Sequence, residues 1–396
     1  MATPATLDRR LQKVLAWAAA AAAVTACQKA PAPPAPAAPP PAAAAVAVDQ
    51  AEPATAATAS GAAAEVSATG AAANPLAGLT PEQAFTKRWT AAEGLGPTFN
   101  EVSCADCHDR EGLGGSGDPA RPAHVVMAPS LHLVGVWPRQ AIEGRQPQPK
   151  PGDAVTSLRR GPPLFGLGLL EKISDARLAE LCDPQDRDGD GVTGHTNVNT
   201  VYDQRPGRFG LQAHTSNIRD FIGNALAGEL GVTNPANRDP RLAKDDDGAS
   251  DPEASDGYVD LLATYVRNLP APAPLPAMQS AEAQAGKALF SASGCAACHR
   301  ADPDSVAPGA YTDLCVHKLG PKLASGIIDF SAQADEWRTA PLWGLGRRQA
   351  FLHDGRTTSL TEAIELHAGE AEASVQKFKA LAAADKARLL AFLKAL

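Results

Sequence analysis

The chain has 396 residues, 20% of them charged, and a net charge of −8. That balance, with no basic run anywhere, argues against nucleic acid as a partner. Aromatic residues make up only 5%, thin for the cores a chain of this length would bury.

Read from the N-terminus, Arg9, Arg10 and Lys13 precede an apolar run from Leu15 to Ala26. The run is too short to span a bilayer and has the order of an export signal. Val24-Thr25-Ala26-Cys27 resembles the bacterial lipobox, so residues 1–27 are read as a lipoprotein signal peptide with Cys27 lipidated. Ordinary cleavage near Ala26 is the alternative. Gln28 follows instead of an inner-membrane retention acid, and the expected location is the periplasmic face, lipid-anchored, in the outer rather than the inner membrane. Residues 28–78 are mostly Ala, Pro, Gly, Ser and Thr without apolar periodicity, a composition that predicts a disordered tether.

Beyond the tether, the spacing predicts helices over 80–92, 174–182, 216–230, 258–269, 280–293, 360–368 and 385–396. Residues 111–163 are rich in Gly and Pro and are expected as long loops. The acidic stretch 244–257 is expected as a solvated loop, and 270–276 as a proline-rich hinge.

Two pentads stand out, Cys104-Ala-Asp-Cys107-His108 and Cys295-Ala-Ala-Cys298-His299. Two thiols two residues apart can reach the two vinyl groups of one porphyrin, while the adjacent imidazole turns under the iron. One Cys-x-x-Cys could be half of a zinc site; two complete pentads point to two covalently bound haem c groups. Each pentad is preceded by a helix and followed by loops and a closing helix. That repeat predicts an all-α chain of two cytochrome-c-like domains, 79–272 and 273–396. Cys182 and Cys315 remain, as a disulfide or as two small buried hydrophobes.

Gly94–Asn100, Arg160–Glu171, Asp186–Gly191, Gly207–Gly210, Trp337–Gly344 and Phe351–Arg356 resemble segments of the di-haem oxidoreductase family. More distantly the chain is similar to the bacterial di-haem cytochrome c peroxidases and the methylamine-utilisation di-haem enzyme. In those peroxidases the residue fourteen after the His of the aromatic-x-His-Asp-Gly turn is the sixth ligand of the second haem. From His353 that count reaches His367, so the resemblance implies a bis-histidine second haem on His299 and His367. It implies a reactive first haem on His108, served by a distal carboxylate. Glu229 stands thirteen residues after Ser216, one short of the family spacing, and is the candidate catalytic acid. Its rival reading is a solvated helix-end carboxylate. Leu211 replaces the Trp that follows Gly207–Gly210 in the family, which leaves Trp337 or Trp343 as an interhaem aromatic or as plain core. The sixth position of the first haem stays open among His124, His132, His195, His214, His317 and Met127. His353 reads as a propionate contact or a turn former.

Calcium has two weak claims. Thr339-Ala-Pro341 matches a Thr-x-Pro whose carbonyls help hold an interhaem calcium in the peroxidases. Asp186, Asp188 and Asp190 open an EF-hand-like run whose twelfth position is Asn197 instead of the bidentate Glu. The expected function is peroxidase-like reduction of peroxide or another small oxidant. Electrons would come from a small redox protein or a quinone-derived donor, and the membrane would be met only through the lipid. An electron-transfer cytochrome and an oxygenase are the rival readings.

Overall fold

Residues 76 and 78–396, apart from 129–132, 148, 201–202, 240–241 and 243, are described by a computed structural model. Cys27, His132, the expected signal peptide and nearly all of the expected tether lie outside them. Residues Ala72–Leu396 form one compact unit. Among the described residues no helix is long and apolar enough to cross a membrane.

Helix α1 (Pro81–Thr86) begins where Thr80 and Gln83 exchange a capping box, with Pro81 in the first turn. It ends at Thr86, well short of residue 92, because the Trp89 amide turns away to the Val102 carbonyl at 2.8 Å. The one-turn helix α2 (Cys104–Cys107), α3 (Leu167–Leu170), α4 (Asp175–Leu181), α5 (Ile218–Ala225) and α6 (Asp256–Asn268) follow. Asn217 caps α5 through the Asp220 amide, not Ser216 as expected. The helix then widens into a looser turn over Leu226–Leu230.

The chain is not all-α. Strands β1 (Thr98–Phe99), β2 (Ala123–Ala128), β3 (Leu133–Trp137), β4 (Gln140–Ala141), β5 (Val155–Arg159), β6 (Val316–Lys318) and β7 (Glu336–Arg338) build three small antiparallel sheets. The largest, in the order β3-β2-β5, sets His124 opposite both Trp137 and Leu158. It occupies the stretch expected as loops. Gly and Pro dominate residues 111–163 as a whole, but Val125-Val126-Met127 and Val155-Thr156 are short β-branched runs that pair with partners far along the chain.

In the C-terminal part, α7 (Ala281–Ala292) crosses α10 (Ala383–Ala395), with α8 (Leu360–Leu366) and α9 (Glu372–Ala380) beside them. Helix α7 buries Ala283, Gly286 and Phe290, with Leu289 partly buried beside them. Gly286 is required at the crossing: a Cβ there would lie 2.0 Å from the Arg388 carbonyl oxygen. Phe290 meets Phe392 edge-on at 5.4 Å and Tyr311 at 6.0 Å. A first hydrophobic cluster gathers Phe85, Trp89, Leu178, Tyr258 and Leu262 but also Leu314, Cys315 and Trp343, so it crosses position 272/273. The second holds Phe290, Tyr311, Phe378, Leu389 and Phe392. Cys182 and Cys315 form a disulfide with their Cα atoms 5.7 Å apart, tying α4 to the segment before β6.

Candidate functional site: two Cys-x-x-Cys-His centres

At the N-terminal centre, Ser103 caps α2 through the Ala105 amide. His108 leaves the helix and its Nδ1 donates to the Gly115 carbonyl at 3.0 Å, which leaves Nε2 with the free lone pair. Burial pushes the His108 pKa down, favouring the neutral imidazole that a metal needs. Gly161 closes on this ring: a Cβ there would sit 3.3 Å from His108 Cε1 and 3.2 Å from the Cys107 carbonyl oxygen. Burial raises the Cys104 and Cys107 thiols to about 12, so neither is a ready thiolate.

Glu229 sits on the widened turn after α5. Asn100 Nδ2 donates to its Oε2 at 3.0 Å, and the Asn100 amide donates to its carbonyl at 2.7 Å. Asn100 is 1% exposed, and its own Oδ1 accepts from the amide and Nε of Arg139, both at 3.1 Å. Burial raises the Glu229 pKa against the Asn100 hydrogen bond and the charge of Arg139, which lower it. The Glu229 charge in turn raises Cys107, which puts the carboxylate within electrostatic reach of this centre. Sequence reasoning missed Asn100 as a site residue, although it closes the Gly94–Asn100 segment.

At the C-terminal centre, Cys295–Ala297 form a single turn entered through Gly294 in the left-handed region, at φ 89°. His299 Nδ1 donates to the Tyr311 carbonyl at 2.9 Å, and His367 Nδ1 to the Ala363 carbonyl at 2.7 Å. Both rings keep Nε2 free. Cys295, Cys298, His299 and His367 line one cavity of about 290 Å³, walled by Phe290, Leu342, Phe351, Ile364 and Phe378. Burial, backed by the nearby His367, brings His299 down to about 4, and burial lowers His367 too. Two thiols and two neutral imidazoles lining one apolar cavity fit a haem, with Cys295 and Cys298 as the residues that would attach it and His299 and His367 as those that would hold its iron.

The other candidates divide as follows. His317, 4% exposed, lines the C-terminal cavity, and both ring nitrogens are taken, by Asp313 at 3.0 Å and Glu370 at 2.8 Å. Burial opposes its charge, but those partners and Cys298 outweigh burial and push it up to about 12. Glu370 also accepts from the amides of Lys318 (3.0 Å) and Thr193 (2.8 Å), anchoring the loop just past His367. His195 pairs with Glu336 at 2.9 Å and His214 with Asp329 at 3.1 Å. His124 and Met127 lie on β2, His124 with Lys150 at 2.9 Å. Trp337 stacks on His353 at 3.9 Å, and both line the C-terminal cavity with Leu211. Trp343 packs against Gly166, in the first core.

Asp186, Asp188 and Asp190 bring carboxylate oxygens within 4.8 Å of one another. Asn197 is 0% exposed and spends its side chain on Gln212, Asp329 and Ser331. The Thr339 carbonyl accepts from Thr312 Oγ1 at 2.6 Å and the Pro341 carbonyl from Arg348 at 2.9 Å, so both already have donors.

The family profile described as "Di-haem oxidoreductase, putative peroxidase" matches residues 148–396. The chain belongs to the di-haem oxidoreductase family. The matched stretch takes in Cys295–His299, His367 and Glu229 and begins after Cys104–His108. Among solved structures the chain is similar to the hydrazine synthase of Kuenenia stuttgartiensis, at 14% identity and a TM-score of 0.38, over 85% of this chain and 100% of that one. It is also similar to a MauG-like protein associated with microbial copper homeostasis, at 18% identity and a TM-score of 0.33, over 59% of this chain and 88% of that one. No curated protein matches it.

Proposed function

We propose that the chain is a two-haem c-type enzyme that reduces peroxide, or a similar small oxidant, at the N-terminal centre. Haem bound at the two pentads would supply one-electron iron chemistry and, at the N-terminal centre, an open coordination position. His108 would hold one iron. His299 and His367 would together hold the other iron, which would suit the C-terminal centre to taking in and storing electrons. The balance is H₂O₂ + 2e⁻ + 2H⁺ → 2H₂O, and the protein's task is to move a proton from one peroxide oxygen to the other.

Glu229 has that role. The observation that carries the reading is its environment: a carboxylate with a raised pKa, clamped by Asn100, within electrostatic reach of Cys107. A raised pKa brings a carboxylate nearer the working pH, where it can both accept and return a proton. Export, lipidation of Cys27 and a small redox protein or quinone-derived donor complete the proposal. Calcium would sit at the clustered carboxylates of Asp186, Asp188 and Asp190.

Optical and EPR spectra of the as-isolated and half-reduced protein, followed by peroxide, test it. A high-spin haem that reacts with peroxide is expected. Two unreactive low-spin haems in every redox state refute the reading and leave an electron-transfer cytochrome.

A further inference from the structure

Three arginines line the C-terminal cavity: Arg160, Arg338 and Arg348. Arg160 is 6% exposed and the other two are half-buried. Their donors go to neutral oxygens. Arg160 bonds the Ala350 and Gly117 carbonyls and Ser116 Oγ, Arg338 the Gly210 carbonyl at 2.9 Å, and Arg348 the Pro341 carbonyl at 2.9 Å. Among the described residues none of the three has a carboxylate within hydrogen-bond distance. The nearest ion pair is Glu111 Oε1, 3.7 Å from Arg160. The other Glu111 oxygen is held by the Ser116 amide at 3.0 Å and its hydroxyl.

Burial, with mutual repulsion between Arg338 and Arg348 and between Arg348 and Arg160, brings Arg338 and Arg348 down to about 10. Glu111 and Asp313 offset part of that from a distance, but among the described residues no carboxylate hydrogen-bonds any of the three guanidiniums around this largely apolar cavity. Uncompensated buried charge is expensive, and a guanidinium fork is shaped for carboxylate oxygens. Three guanidiniums without a hydrogen-bonded carboxylate, beside an apolar cavity, suit an apolar ligand that carries carboxylates.

We infer that Arg160, Arg338 and Arg348 are the seat for the two propionates of the haem attached at Cys295 and Cys298. The inference rests on the haem reading of that pentad. It fixes the direction in which the haem lies, with its thioether edge at Cys295 and Cys298 and its carboxylate edge at the arginines. It also joins the two centres. Arg160 is followed by Gly161, which packs on the His108 ring.

Redox titration of the intact two-haem chain, with its haem content measured alongside, tests the seat. Arg338→Leu and Arg348→Leu each remove a positive charge that favours the reduced haem. Each should make reduction of the C-terminal haem about tenfold less favourable, a fall of about 59 mV for a one-electron couple. Arg338→Lys and Arg348→Lys keep the charge and should restore most of that shift. Loss of haem from the C-terminal pentad in the Leu variants, with retention in the Lys variants, equally supports the seat. Full haem content with an unchanged potential in both Leu variants overturns it and leaves the haem reading standing. A wild-type chain with no haem on Cys295 and Cys298 overturns both.

Discussion

Replacing Glu229 by Gln separates a catalytic carboxylate from a structural one. Gln keeps the side-chain length and a carbonyl oxygen that can still accept from Asn100, which now bonds Glu229 Oε2 at 3.0 Å. The clamp survives and the transferable proton does not. Loss of a positioned acid–base group costs about 10²–10⁴-fold in rate, or about 2.7–5.4 kcal/mol of transition-state stabilisation at 1.36 kcal/mol per tenfold. Stability should move the other way. The folded pKa of Glu229 is raised above its unfolded value, chiefly by burial. Its contribution to stability is therefore fully present below the unfolded pKa and is lost as pH rises through the folded one. Gln carries no such penalty, so E229Q should match the wild type at pH 4 and equal or exceed it at pH 8. Peroxide turnover with an artificial electron donor and urea unfolding at the two pH values supply both readouts. Unaltered turnover refutes the proton-transfer role. A stability loss of the same size at both pH values refutes the burial argument.

Cys182 and Cys315 are separated by 133 residues and are 2% and 0% exposed. In the chain-entropy account a loop of that length is worth about 5 kcal/mol, so the double Ser variant should unfold at markedly lower urea concentration under oxidising conditions, while reductant should weaken only the wild type. His367→Ala should turn the C-terminal haem high-spin, and an unchanged EPR spectrum removes the ligand assignment. Gly286→Ala drives a methyl to within 2.0 Å of the Arg388 carbonyl. The cost should be about 1–3 kcal/mol, outweighing the gain in helix propensity, as read by thermal unfolding.

Helices were legible wherever a cap and an apolar period coincided. Ser174, Ser255 and Ser280 each cap a helix, and the expected starts lie within a few residues of the observed ones. The expectation failed where pairing is long-range. Val125 and Val126 form a strand because Val155–Arg159 and Leu133–Trp137 lie alongside, and no local window contains that fact. On α7 the close crossing with α10 selects Ala283 and Gly286 for the buried face, a choice that depends on a partner helix about a hundred residues away.

Cys-x-x-Cys-His needs only five consecutive residues to bring thiols and imidazole together, so both pentads were readable from the chain alone. The count from His353 to His367 came from the family resemblance, and the structure places His367 at the end of α8, on the same cavity as His299. Asn100 and Glu229 are 129 residues apart, and Arg160 and Arg338 stand further apart still in the chain. Their meeting depends on burial and on which carbonyls and carboxylates remain for each charge, quantities that come into being only when the chain closes on itself. Local chemistry was thus set by the order of residues. The partners of Glu229, the Cys182–Cys315 bond and the arginines around the C-terminal cavity were set by folding, because hydrogen bonds and desolvation act between atoms that sequence separation does not place together.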